Sequence, residues 1–80
     1  MAIVTLPAPI PGTFYRRPSP NDPPFKSEGD PVAIGDAIGL IEVMKTFTQV
    51  SAEHAGRLKR FLVENEDPVQ AGQPLCEIEA

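Results

Sequence analysis

Apolar residues along this chain fall into short runs that partly alternate with polar ones: IVTL, GTFYR, AIGLIEV, TFTQV, GRLKRFLV and PLCEIE. Each run is rich in branched or aromatic side chains and is bounded by Gly, Pro or Asp, the pattern of half-buried strands separated by turns. GRLKRFLV also reads as a helical turn, but Gly56 before it and the strand-like GTFYR that overlies it in the repeat below favour a strand. The predicted elements are therefore all β.

The runs are duplicated. Residues 30–42, DPVAIGDAIGLIE, recur 37 positions later as residues 67–79, DPVQAGQPLCEIE. Asp30, Pro31, Val32, Gly35, Ile41 and Glu42 return as Asp67, Pro68, Val69, Gly72, Ile78 and Glu79, and Ile38 returns conservatively as Leu75. Upstream, IVTLPAPIPGTFYR (3–16) overlies FTQVSAEHAGRLKR (47–60) at an offset of 44, pairing Leu6 with Val50, Ala8 with Ala52, Gly12 with Gly56, Phe14 with Leu58 and Arg16 with Arg60. The two offsets differ by seven residues, which places an insertion in the first half at about 17–29. Eight of the ten prolines lie between residues 7 and 31, and Pro18, Pro20, Pro23 and Pro24 sit inside the insertion. Proline fixes φ and donates no hydrogen bond, so this segment reads as a rigid protrusion rather than a central strand. The recurring Asp-Pro-Val-x-x-Gly reads as a turn, with proline presetting φ and glycine free to take a positive one. Residues 1–80 thus form one domain of two halves, 3–42 and 47–79. Two such units, each with one apolar face, are expected to pack face to face as a pseudo-twofold sandwich or flattened barrel.

Composition narrows the functions. Eighty residues suit one small domain, and 41% hydrophobic with 22% charged residues is ordinary for a soluble globular chain. No apolar run approaches the roughly 20 residues of a membrane span, and the N-terminus lacks the regions of a signal peptide, so a cytoplasmic protein without a membrane partner is expected. A net charge of -4 argues against nucleic acid as a partner, and the small basic cluster of Arg57, Lys59 and Arg60 does not change that. Cys76 and His54 are each the sole residue of their type, which precludes an intrachain disulfide or a His/Cys metal site and argues against a thiol nucleophile with its base.

What lies between the halves is Val43, Met44, Lys45 and Thr46. AIGLIEV and TFTQV, if antiparallel, need a tight link centred on Met44 and Lys45, pointing into solvent. Their mates in the second half would fall beyond Ala80, so the duplication leaves Lys45 without a counterpart whereas Glu42 has one in Glu79. Such a tip normally uses Asn-Gly or Asp-Gly, and a local mismatch of this kind is expected at functional sites. Taken singly, an exposed lysine is a solubilising charge and a methionine is a gap-filler of cores. Nothing in the flanking sequence activates the lysine as a nucleophile, so self-contained catalysis is not expected. Acylation by another enzyme suits a protruding amine.

Glu42-Val43-Met44-Lys45 resembles the Glu-Ala-Met-Lys-Met signature of biotinyl domains. The similarity runs from Ala8 to Glu79: APIPGTFYRRPSP resembles the opening of the biotin carboxyl carrier domain of acetyl-CoA carboxylase, and GRLKRFLVENEDPVQAGQPL its second half. The resemblance implies a flattened β-barrel of two four-stranded antiparallel sheets with quasi-twofold symmetry. It implies biotin held covalently on Lys45, with Met44, Glu42, Val43 and Thr46 serving recognition and presentation. It implies a non-catalytic carrier in fatty acid synthesis, with biotin protein ligase, biotin carboxylase and a carboxyltransferase as partners. The segment Pro18, Ser19, Pro20, Asn21, Asp22, Pro23 and Pro24 falls where acetyl-CoA carboxylase carriers have a thumb that touches biotin. By its residues alone it is a stiff loop or, as a weaker alternative, a Pro-x-x-Pro ligand through Pro20 and Pro23. Val43 replaces the signature's alanine, adding two methyl groups beside the lysine, and Thr46 replaces its second methionine; slower docking on the ligase is expected. No long Ala/Pro-rich linker precedes Ile3, so the chain is either a stand-alone carrier or a piece of a longer subunit. The rival readings are a lipoyl domain, whose lysine typically follows aspartate rather than methionine, and an unmodified barrel that acts as an interaction module.

Overall fold

A computed structural model describes residues 2–80 as eight strands: β1 (Ile3–Pro7), β2 (Gly12–Tyr15), β3 (Pro31–Val32), β4 (Ala37–Val43), β5 (Thr46–Ser51), β6 (Gly56–Phe61), β7 (Pro68–Val69) and β8 (Pro74–Glu79). They form two four-stranded antiparallel sheets, ordered β1-β8-β6-β3 and β5-β4-β2-β7, in a body flattened to 38 × 27 × 19 Å. Every predicted run contains a strand. The two additional strands are the Pro-Val pairs of the repeated segment expected to be a turn. The turn lies one step later, where Gly35 and Gly72 take φ of 92° and 84°. Pro31 and Pro68 are tolerated because β3 and β7 are edge strands, on which a missing N–H breaks no ladder.

The duplication carries over into the hydrogen bonding. Replacing each first-half strand by its second-half mate converts the order β1-β8-β6-β3 into β5-β4-β2-β7. The registers transform in the same way: Thr13 opposite Glu42 becomes Arg57 opposite Glu79, and Ile3 opposite Glu79 becomes Phe47 opposite Glu42. Loop contacts follow as well. Ser27 N–H donates to Asp30 Oδ2 at 2.8 Å, and Glu64 N–H to Asp67 Oδ2 at 2.9 Å. Because this pairing resumes at Ser27, the segment without a counterpart of its own length is 17–26.

One expectation needs correction. The halves do not make one sheet each; each sheet takes two strands from either half. The linkers decide this. Sheets pack about 10 Å apart, a gap that the links 8–11, 33–36, 52–55 and 70–73 can cross, so successive strands alternate between sheets. Only the two-residue link between β4 and β5 is too short to cross, so these are the only consecutive strands that pair with each other.

The core lies between the sheets and is itself built of symmetric pairs: Leu6 and Val50, Ala8 and Ala52, Phe14 and Leu58, Val32 and Val69, Ile38 and Leu75, Ile41 and Ile78, all buried. Symmetry is broken where sizes are exchanged. Phe14 is bulkier than its mate Leu58, and its ring lies over Gly39, where a Cβ would meet it at 2.5 Å; the mate of Gly39 is the buried Cys76. Cys76 is a packing residue, and burial pushes its thiol up to about 11.

Candidate functional site

Met44 and Lys45 form the whole of the β4–β5 turn, between the last ladder pair of Val43 and Thr46. Both take left-handed backbone, with φ of 50° and 66°. Positive φ at both central residues is the type I′ geometry that the right-handed twist of a hairpin demands, and it normally selects Asn-Gly. Met-Lys carries the steric cost of Cβ at both positions. Met44 is 93% exposed, so it fills no core gap. Lys45 is exposed and makes no hydrogen bond or ion pair among the described residues.

Strand alternation sends Val43 and Glu42 in opposite directions. Val43 follows the inward side of Ile41, over Gly12, where an added Cβ would lie 2.9 Å from its Cγ2. Glu42 faces outward with Phe47, its cross-strand partner, and Tyr15 lies beside them. The Tyr15 hydroxyl donates to Glu42 Oε1 at 3.1 Å, and its ring is tilted against Phe47 with centroids 6.2 Å apart. That hydrogen bond, followed by partial loss of water and the charges of Glu42 and Glu66, raises the Tyr15 pKa above its ordinary value. Glu42 is therefore engaged by Tyr15 and makes no ion pair with Lys45.

The inserted segment folds back beside this surface. Its apex is a turn in which Asp22 N–H donates to Ser19 O at 3.1 Å and Ser19 Oγ to Asp22 Oδ2 at 2.8 Å. Its base is closed by Phe25 N–H to Arg16 O at 2.9 Å, and Arg16 N–H is in turn held by Asn65 Oδ1 at 2.8 Å. Lys26 ties its end down through Asp36, 3.1 Å away. Between this protrusion and β5 opens a cleft of about 330 Å³ lined by Tyr15, Arg17, Pro18, Ser19, Pro20, Phe47, Asn65 and Glu66.

Of the residues singled out from sequence, Glu42, Val43, Met44, Lys45 and Thr46 come together at the tip. Pro18, Ser19 and Pro20 reach the cleft; Asn21, Asp22, Pro23 and Pro24 do not line it. Sequence reasoning missed Tyr15, Arg17, Phe47, Asn65 and Glu66. A signal was available: Tyr15 overlies Lys59 and Glu66 overlies Gly29, mismatches of the kind that marked Lys45. Glu66 takes a φ of 71° where its mate Gly29 takes 95°.

Fold and geometry together define a small barrel of duplicated halves that displays one free lysine on a strained hairpin. The chain belongs to the family described as "Biotin-requiring enzyme", whose model matches residues 4–78, and biotin is its covalently held cofactor. It is 41% identical over 70 residues to the biotin carboxyl carrier protein of acetyl-CoA carboxylase 2, chloroplastic, of Arabidopsis thaliana, a match covering 88% of this chain and 28% of that protein. It is 39% identical over 72 residues to the biotin carboxyl carrier protein of acetyl-CoA carboxylase of Haemophilus influenzae, covering 90% of this chain and 46% of the relative. The chain thus spans less than half the length of these curated relatives. The crystal structure of Kluyveromyces lactis urea carboxylase superposes on 99% of this chain and 6% of its own, with a TM-score of 0.79 and 29% identity.

Proposed function

We propose that residues 1–80 are a biotin carboxyl carrier domain of acetyl-CoA carboxylase type, with biotin in amide linkage to Lys45. The observation that carries this reading is the free, exposed lysine on a two-residue hairpin whose left-handed backbone its side chains disfavour. Strain of this kind persists at functional positions because the surrounding strands over-determine it. The site also fits the group. The apolar walls of Tyr15, Phe47, Pro18 and Pro20, with Ser19 and Asn65 as polar edges, suit a small ring system bearing a polar urea.

Bound biotin supplies the chemistry of taking up a carboxyl group at a biotin carboxylase and giving it up at a carboxyltransferase. The chain's residues supply position. Met44 and Lys45 project from the tip for a biotin protein ligase to engage, Glu42 is restrained by Tyr15, and Thr46 and Val43 close the ladder beneath the turn. Because Val43, 38% exposed, lies over Gly12 on the Ile41 side of β4, its extra methyls face away from the Glu42 surface, and the ligase is slowed rather than blocked. The segment Pro18–Pro24 serves as the thumb, through Pro18, Ser19 and Pro20. Tethering raises the local concentration of the ring at both partner enzymes. The domain acts as a carrier without catalysis of its own, in the cytoplasm and in fatty acid synthesis.

Intact mass of the protein coexpressed with ligase and biotin tests the reading. A single biotinyl adduct that disappears in Lys45→Arg is the expected result. A lipoyl adduct would convert the reading to a lipoyl carrier, against which Met44 in place of aspartate already speaks. No adduct under saturating ligase would leave an unmodified interaction module.

A further inference from the structure

Arg17 is the one cation that lines the cleft, and its Nε is buried with no hydrogen-bond partner. Buried donors are nearly always satisfied, so an unpaired guanidinium nitrogen on a side chain that lines a cleft is conspicuous. The neighbouring Arg16 Nε is unpaired too, but that side chain is spent otherwise, with its guanidinium 4.1 Å from the Phe61 ring centroid. The two ion pairs of the described residues, Lys26 with Asp36 and Arg60 with Glu77, leave Arg17 out. Glu66 shares the cleft wall without pairing with Arg17. The cleft therefore offers aromatic and proline walls with a free planar cation at one side.

This inference rests on the carrier reading and deepens it. The uncarboxylated ring is a neutral cyclic urea; the carboxylated ring bears an anion. Guanidinium recognises carboxylate through two parallel hydrogen bonds and gains far less from a neutral urea. We propose that the cleft between the thumb and β5 seats the carboxylated form in preference to the uncarboxylated one, with Arg17 as the residue that distinguishes them. Loss of CO2 would break the N–C bond and leave its electron pair on the ring nitrogen, which then takes a proton from water, while a carboxylate oxygen's pair forms the second C=O of CO2. A cation that stabilises the carboxylate raises that barrier, so the seat also protects the cargo in transit.

The test uses biotinylated protein loaded by biotin carboxylase with ATP and radiolabelled bicarbonate, then freed of enzyme and nucleotide. Release of label from Arg17→Met is expected to be roughly two- to fivefold faster than from the unsubstituted protein at low salt, the range of a partly solvated ion pair. Arg17→Lys should fall between them. In the unsubstituted protein the protection should shrink as salt rises toward 1 M, where charges are screened within about 3 Å. The Arg17 side-chain Nε–H resonance in NMR should move on loading and return as label is lost. Equal release rates with an unmoved resonance overturn the proposal while leaving the carrier reading intact. Failure to take up biotin or label at all removes both.

Discussion

Replacing Met44-Lys45 by Asn-Gly should make the unmodified domain more stable while abolishing its site of modification. The two residues hold φ of 50° and 66°. An L-residue with Cβ loses about 1–2 kcal/mol in this region, so the native pair stores about 2–4 kcal/mol. Asparagine retains part of that cost, and glycine gives back about 0.5–1 kcal/mol through the greater freedom of its unfolded chain. The net gain is about 1–3 kcal/mol. In a domain of this size each kcal/mol raises Tm by about 4–8 °C, so calorimetry should register an increase of at least about 4 °C, with a matching rise in the urea midpoint at unchanged slope. The single substitutions Met44→Asn and Lys45→Gly should each supply a part of it. An unchanged or lowered Tm in the double variant would show that the turn is not strained, and the argument from strain to function would lose its support.

Other expectations follow from the same geometry. Glu66→Gly, which copies Gly29, should stabilise the domain by about 0.5–1 kcal/mol in urea denaturation, since glycine takes positive φ at no steric cost. Gly39→Ala places a methyl against the Phe14 ring and the Tyr15 carbonyl and should destabilise by about 1–3 kcal/mol. Adding Phe14→Leu, the second half's own solution, should recover part of that loss relative to the sum of the single changes. Asp36 has its pKa lowered by the Ala33 N–H bond first and by Lys26 second, and Glu77 has its pKa lowered by Arg60. A carboxylate with a depressed folded pKa contributes stability above its unfolded pKa, and that stability is lost as pH falls through the folded value. Tm should therefore drop below about pH 4, and less steeply in Asp36→Asn, in a pH series of melting curves.

Much of this protein was determined by its sequence alone, because the relevant information is local or periodic. Alternation placed the strands, Gly35 and Gly72 placed the turns, and the duplication located the unmatched Met44 and Lys45 at a junction too short for anything but a hairpin. The six symmetric core pairs fall where the two copies align. Alternation says which side of a strand is buried, but not which strand lies beside it. The interleaving of the halves accordingly followed from linker reach in three dimensions, not from the pattern. The cleft is tertiary for the same reason: Tyr15 meets Glu42 across 27 residues, and Arg16 meets Asn65 across 49. Phe47, Asn65 and Glu66 carry no motif, and they converge on Arg17 because sheet register and the anchored protrusion bring outward-facing side chains of distant segments to one wall.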